Sequence, residues 1–153
     1  MRSKFKLWHS ALGLFCLVVL QTIGILVLPG LAMVWLTLLA AALGALMLLY
    51  VATEVIEDIR DARYMLVLLS VVVSEFVAFF AFQYQFLSIV SPGAFPTLPH
   101  DWISVLLHST MIFVFNPLYM PANGVGQLML IVNTVSALGL VLFILQNIWQ
   151  IRK

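Results

Sequence analysis

Long apolar runs alternate with short polar breaks along this chain, and the pattern predicts its elements. An apolar run over 8–28 is closed by Pro29-Gly30, and a second, over 31–51, ends in the charged stretch from Thr53 to Arg63. A third run covers 64–90. The proline-rich stretch Ser91-Pro-Gly-Ala-Phe-Pro-Thr-Leu-Pro99 then leads into a shorter apolar run, 101–113. Asn116, Pro117, Pro121, Asn123, Gly124 and Gly126 follow, before a last apolar run over 125–149. A bilayer core is about 30 Å thick and needs about 20 helical residues at about 1.5 Å each. Four runs meet that length. The run over 101–113 reaches only about 20 Å and cannot cross. A short apolar helix between breaker-rich segments reads as an element that enters the membrane and returns. Irregular backbone at that depth is tolerated only where protein buries it or a water-filled cavity lines it.

The fold class predicted is an all-α membrane protein, with four transmembrane helices and a re-entrant half-helix and pore-like loop between the third and fourth. Three regions follow: an N-terminal transmembrane helical hairpin (1–52), a charged cytoplasmic linker (53–63) and a pore-module-like region (64–153). Pro29-Gly30 makes the hairpin tight. Ala40-Ala41-Ala42 and Gly44-Ala45 give the second span a small-residue face for close helix contact. Val55, Ile56 and Ile59 lie at helical spacing, so the linker is expected to be an interfacial helix. Tyr84, Phe86 and nearby aromatics are expected at the far interface, and the Trp and Phe residues mainly against lipid or at an interface. Arg2, Lys4 and Lys6 resemble the start of a signal peptide. The first apolar run is too long for one and has no cleavage site before Pro29, so it reads as a retained signal anchor.

Composition sharpens the class. The chain is 64% hydrophobic and 8% charged, which excludes a water-soluble domain of this size. The net charge of +1 says nothing about nucleic acid and no basic run suggests it, so no nucleic-acid partner is expected. Lys and Arg occur only before the first run, in the linker and after the last run. These places share one side if four runs cross and 101–113 only dips. The excess of positive charge on cytoplasmic loops then sets both termini in the cytoplasm, with the bacterial inner (plasma) membrane as the expected location. A 101–113 segment lying flat on the surface would keep the same topology. Cys16 is single and reads as a small apolar residue. There is no redox cysteine pair, metal-ligand cluster or nucleophile–base pair, so no cofactor, metal or catalytic activity is expected.

A few polar residues interrupt the apolar runs. Glu75 is the only formal charge well inside one. It is either a carboxylate on an ion or proton pathway, or a protonated group hydrogen-bonded to a neighbouring helix at Asn133, Thr134 or Ser136. His108, inside the short helix, is either a pH sensor or a polar residue satisfied behind the loop, the second being preferred. His100 and Asp101 read as helix-start residues, Asp101 suiting an N-cap. His9 reads as interfacial. Asn133 and Gln146 either face one cavity or bond between helices. Gly139 is a packing residue or a hinge.

Span, proline-rich lead-in, short helix, return and span is the order of the two-helix pore module of potassium-type ion channels, which residues 65–151 resemble. Asp101-Trp102 matches the acidic and aromatic pair that opens the pore helix in that family, and Thr110 the threonine near its end. Pro121 falls on the proline of the filter exit. Gly126-Gln127-Leu128 is similar to the opening of the inner helix, with Gln in place of Arg, and Gly139 falls near the hinge. The spacing agrees across these points without a gap. The filter differs: where the family carries a TVGYG-like sequence, this chain reads Ile112-Phe-Val-Phe-Asn-Pro-Leu-Tyr-Met-Pro121, without glycines. Phe115 and Pro117 resist the backbone conformations that turn carbonyls toward an axis.

The resemblance implies an ion-channel-like membrane pore protein without a standard potassium filter. One loop cannot enclose an axis, so a homo-oligomer, a tetramer, is implied. Its pore and filter-like residues would be Thr110, Ile112, Phe113, Val114, Phe115, Asn116 and Pro117. Glu75, His108 and Asn133 would be its intramembrane polar groups and Gly139 its hinge. The N-terminal hairpin lacks regularly spaced arginines and would be peripheral rather than a voltage sensor. The alternative is a non-conducting accessory subunit that retains the module's shape. It would dock other membrane subunits through the Ala/Gly face of the second span or through the loop aromatics. Lipid is the expected surrounding in both cases.

Overall fold

The computed structural model describes residues 2–58 and 62–151, and within them the side chains of 8–9, 11–54 and 64–146. Five helices form: α1 (Arg2–Val27), α2 (Gly30–Asp58), α3 (Ala62–Val90), α4 (Trp102–Phe113) and α5 (Gly124–Ile151). They follow the apolar runs closely. The charged stretch differs, because α2 continues to Asp58, so the stretch begins as the last turns of α2 rather than as a separate element. The linker residues 55–63, with Val55, Ile56 and Ile59, lie outside the described side chains. So do Arg2, Lys4, Lys6, Arg152 and Lys153, the remaining basic residues on which the expected orientation rests.

Three segments are long and apolar enough to cross a membrane: Gly30–Glu54, Tyr64–Val90 and Gly124–Gln146. Two shorter apolar helical segments accompany them, Ala11–Val27 and Trp102–Phe113. By length and composition the chain is an integral membrane protein.

The four long helices run alternately up and down. A side chain added at Gly13 would meet Met47, and one at Gly24 would meet Met33, so α1 and α2 are antiparallel. α2 ends at Asp58 and α3 starts at Ala62, and the two pack together with Gly44 facing the ring of Phe79, so they are antiparallel. The start of α5 lies at the C-terminal end of α3, where Gly126 meets Ala94, and Asn133 further along α5 reaches back to Tyr84, so α5 is antiparallel to α3 and parallel to α2, with Leu49 beside Gly139. Hydrocarbon between helices gains little when lipid is the alternative, so close backbone approach and interhelical hydrogen bonds carry the packing. The small-residue face of α2 serves this end. Ala40, Ala41, Gly44 and Ala45 are buried, and the ring of Phe79 fills the space that Gly44 leaves. That face is therefore occupied within the chain. The buried cluster continues from Leu14 in α1 to Leu140 in α5, so the N-terminal hairpin shares one core with the rest.

Two polar ties cross this core. Gln21 of α1 and Gln83 of α3 are both buried and exchange two hydrogen bonds, each Nε2 donating to the other's Oε1 at 2.8 and 3.1 Å. Asn133 of α5 donates from Nδ2 to the Tyr84 hydroxyl of α3 at 3.4 Å. The aromatics of α3 correct an expectation: Phe76, Phe79, Phe80, Tyr84 and Phe86 are all buried rather than interfacial or against lipid. The reason is that α3 touches every other helix, and large rings fill the gaps between several partners.

Candidate functional site

The segment between α3 and α5 forms an inward-folded loop, a half-length helix and a return strap. Ser91 donates to the Leu87 carbonyl and closes α3. Two tight turns follow, Ala94 N–H to Ser91 O at 2.9 Å and Leu98 N–H to Phe95 O at 3.1 Å. Ala94, Phe95 and Leu98 are buried, so the proline-rich loop packs onto the bundle end. Asp101 then caps α4 as its sequence position foretold: its Oδ2 accepts from the Ser104 N–H at 2.8 Å. That bond, followed by the Ser104 hydroxyl, holds the carboxyl below its usual range. His100 lies beside it, its Nδ1 3.4 Å from the Ser88 hydroxyl.

Val105, His108, Ser109 and Ile112 form the buried face of α4, at spacings of one helical stripe. The Ser109 hydroxyl donates to the Val77 carbonyl at 2.8 Å, and Phe113 meets Phe76 edge-on at 5.7 Å. Val77 is the middle residue of the apolar stretch Tyr64–Val90. The tip of α4 therefore reaches half-way along α3, about 20 Å from its C-terminal end.

The helix ends in a Schellman arrangement, with Phe115 N–H to Ile112 O and Asn116 N–H to Met111 O, both at 2.8 Å. This geometry needs a left-handed residue after the cap. Phe115 supplies it at φ 61°, where glycine is usual. The strap then runs back along α4. Tyr119 N–H reaches His108 Nδ1 at 3.4 Å, and Ala122 N–H reaches Ala94 O at 2.9 Å, level with the loop where the segment began. Asn123 caps α5 through Oδ1 to the Gly126 N–H at 3.0 Å. Gly126 is required there, since a Cβ would lie 2.6 Å from the Ala94 carbonyl oxygen.

The filter-like residues separate into two sets. Ile112 is buried, Phe113 packs on the core and Pro117 is half-buried. Val114, Phe115 and Asn116 form an exposed tip. Thr110 faces outward, its hydroxyl donating to Leu106 O at 2.8 Å.

Behind the strap lies a buried polar cluster. The His108 ring is fully enclosed by Tyr84 at 4.8 Å, Phe95 at 5.6 Å and Tyr119 at 5.3 Å between centroids. Its Nδ1 accepts from Tyr119, which makes it a neutral imidazole with its hydrogen on Nε2. His108 Nε2 and Asn133 Oδ1 have no protein partner among the described residues. His108 is thus satisfied behind the loop on one nitrogen only. Asn133 bonds helix to helix, from α5 to α3. Gln146 is exposed and does not share its face, since thirteen residues turn a helix by about 220° beyond whole turns. Gly139 has Leu49 Cδ2 as its nearest neighbour at 3.9 Å, ordinary packing within an unbroken α5. Tyr84, expected at the far interface, and Tyr119, which the sequence does not single out, complete the cluster. The signal for the Gln21–Gln83 pair is an amide inside each of two apolar runs, Gln21 in the first and Gln83, two residues before Gln85, in the third.

Glu75 stands apart. Nine residues separate it from Tyr84, half a turn around α3. Asn133 gives its amide to Tyr84, and Glu75 borders the depression between α3 and α1 with Phe15, Val18 and Phe82. Among the described residues no group of three or more His, Cys, Asp or Glu is placed to hold a metal ion. No family model, curated protein or solved structure matches this chain.

Proposed function

We propose that this chain is the subunit of an oligomeric membrane pore, in which α4 and its return strap form a re-entrant element and α1, α2, α3 and α5 cross the bilayer. The carrying observation is the meeting of the α4 tip with the middle of the apolar stretch of α3. Both ends of the same segment stay together at the Ala94–Ala122 contact. If α3 spans the membrane, that segment dips to mid-depth and comes back. Both termini then lie on one side, which the basic residues assign to the cytoplasm. The exposed tip Val114-Phe115-Asn116 carries no charge. Copies arranged around an axis would present rings of apolar side chains and one amide each. Such a constriction gates by wetting and drying and selects ions weakly.

A second reading is a non-conducting accessory subunit. The Schellman closure favours it, because the Met111 and Ile112 carbonyls are tied to their own chain. Docking would then use the loop, since α3 already covers the small-residue face of α2. The test is Phe115→Cys in a Cys16→Ser background, reconstituted in liposomes. The pore reading expects tip-to-tip disulfides, a tetrameric mass and cation flux that closes on cross-linking. A monomer with neither cross-link nor flux overturns it and leaves the accessory subunit.

A further inference from the structure

Polar side chains from three helices converge on Tyr84 and do not use one another up. Tyr84 of α3, His108 of α4 and Asn133 of α5 are each fully buried. The His108 ring stands 4.8 Å from the Tyr84 ring between centroids, and Asn133 Nδ2 lies 3.4 Å from the Tyr84 hydroxyl oxygen. Three bonding functions are left over. His108 Nε2 and Asn133 Oδ1 meet no protein partner among the described residues. The Tyr84 hydroxyl accepts from Asn133, and its own hydrogen reaches no acceptor among those residues. Because His108 Nδ1 accepts the Tyr119 N–H, the ring hydrogen is on Nε2. The surplus is therefore two donors and one acceptor.

The undescribed side chains do not supply the complement. They are those of residues 1–7 and 10, 55–63 and 147–153, at the start of α1, the junction of α2 with α3 and the end of α5. The alternating helix directions gather all of these at the other end of the bundle, about 15 Å or more along the helices from Tyr84. The complement is also neutral. Between positions 76 and 151 the only formal charge is Asp101, which is occupied in capping α4, so an ion would lack a counter-charge beside it.

We infer that an ordered water molecule binds between Tyr84, His108 and Asn133 and holds the return strap through His108. It accepts from the Tyr84 hydroxyl and from His108 Nε2–H and donates to Asn133 Oδ1. Three bonds to otherwise unpaired buried groups is the usual complement of such a water. Turning the Asn133 amide over exchanges its two roles, and water fits again because it both donates and accepts. By taking the Nε2 hydrogen, the water keeps Nδ1 unprotonated and free to accept the Tyr119 N–H, so α3, α4, α5 and the strap are joined at one point. The inference rests on no reading of the chain as a pore.

The test is nuclear magnetic resonance of the full chain, labelled with ¹⁵N-histidine, in deuterated micelles. His9→Gln and His100→Gln assign the His108 signals. The expected result is the Nε2–H tautomer, with a cross-peak from that hydrogen to water that has the sign of direct dipolar contact rather than of exchange. Asn133→Leu should abolish the cross-peak. A tautomer with hydrogen on Nδ1, an Nε2 hydrogen with no such cross-peak, or a cross-peak unchanged in Asn133→Leu overturns the inference. The parent spectrum decides without any variant. Should Asn133→Leu fail to fold, as judged by gel filtration and circular dichroism, Tyr84→Phe takes its place. It keeps the ring against His108 and removes only the hydroxyl, so a weaker cross-peak is expected and an unchanged one overturns the inference.

Discussion

Replacing Gly126 by alanine tests the anchoring of the return strap through the sign of its effect. Gly126 sits in the first turn of α5, and an added Cβ would lie 2.6 Å from Ala94 O, 3.2 Å from Ala94 C and 2.9 Å from Pro121 Cβ. Ala94 O also accepts the Ala122 N–H at 2.9 Å, so it cannot retreat without loosening that bond. Overpacking of this kind costs about 1–3 kcal/mol, and the strained hydrogen bond adds about 0.5–1.5 kcal/mol. An unobstructed helical glycine would instead gain about 1 kcal/mol on becoming alanine. The expected net is a loss of about 1–3 kcal/mol. Gly139→Ala is the internal standard: its Cβ meets only Leu49 Cδ2 at 3.9 Å and should stabilise by about 0.5–1 kcal/mol. Reversible unfolding in mixed micelles, followed by tryptophan fluorescence, reads both. Trp102 reports on the start of α4, where it packs 4.6 Å from Phe82. Gly126→Ala as stable as the parent would refute the close approach of α5 to the loop. Destabilisation by Gly139→Ala would refute the assignment of Gly139 to ordinary packing.

Three further outcomes are expected. Phe115→Gly should be more stable than Phe115→Ala by about 1 kcal/mol in the same unfolding assay, since both lose the ring and only glycine adopts φ 61° without strain. Gln21→Leu should cost about 1–3 kcal/mol by orphaning Gln83, whereas Gln21→Leu with Gln83→Leu should return close to the parent in a double-mutant cycle. Because its folded pKa is lowered, Asp101 contributes stability that is present above the unfolded value near 3.8 and is lost as pH falls through the folded one. Hydrogen exchange at Ser104 should therefore accelerate, after correction for its intrinsic pH dependence, in the acid range for the parent. In Asp101→Asn that pH step should be absent.

What the sequence determined by itself is what rests on composition and local pattern. Apolar run lengths located all five helices to within a few residues at most ends, because a membrane segment is defined by its own hydrophobicity and by nearby breakers such as Pro29-Gly30 and Pro117. The α4 N-cap was legible for the same reason, since Asp101 and Ser104 are neighbours. The small face of α2 was legible as a contact face, though not its partner. The tertiary structure decided which polar residues meet. Tyr84, His108, Tyr119 and Asn133 converge from four separated segments, and Gln21 finds Gln83 across two helices. These encounters depend on rotation and depth, which an almost uniformly apolar helix does not encode. The uniform apolarity of α3 likewise hid that most of its aromatics point inward, and its α-helical period carried Glu75 to the face opposite the Tyr84 cluster.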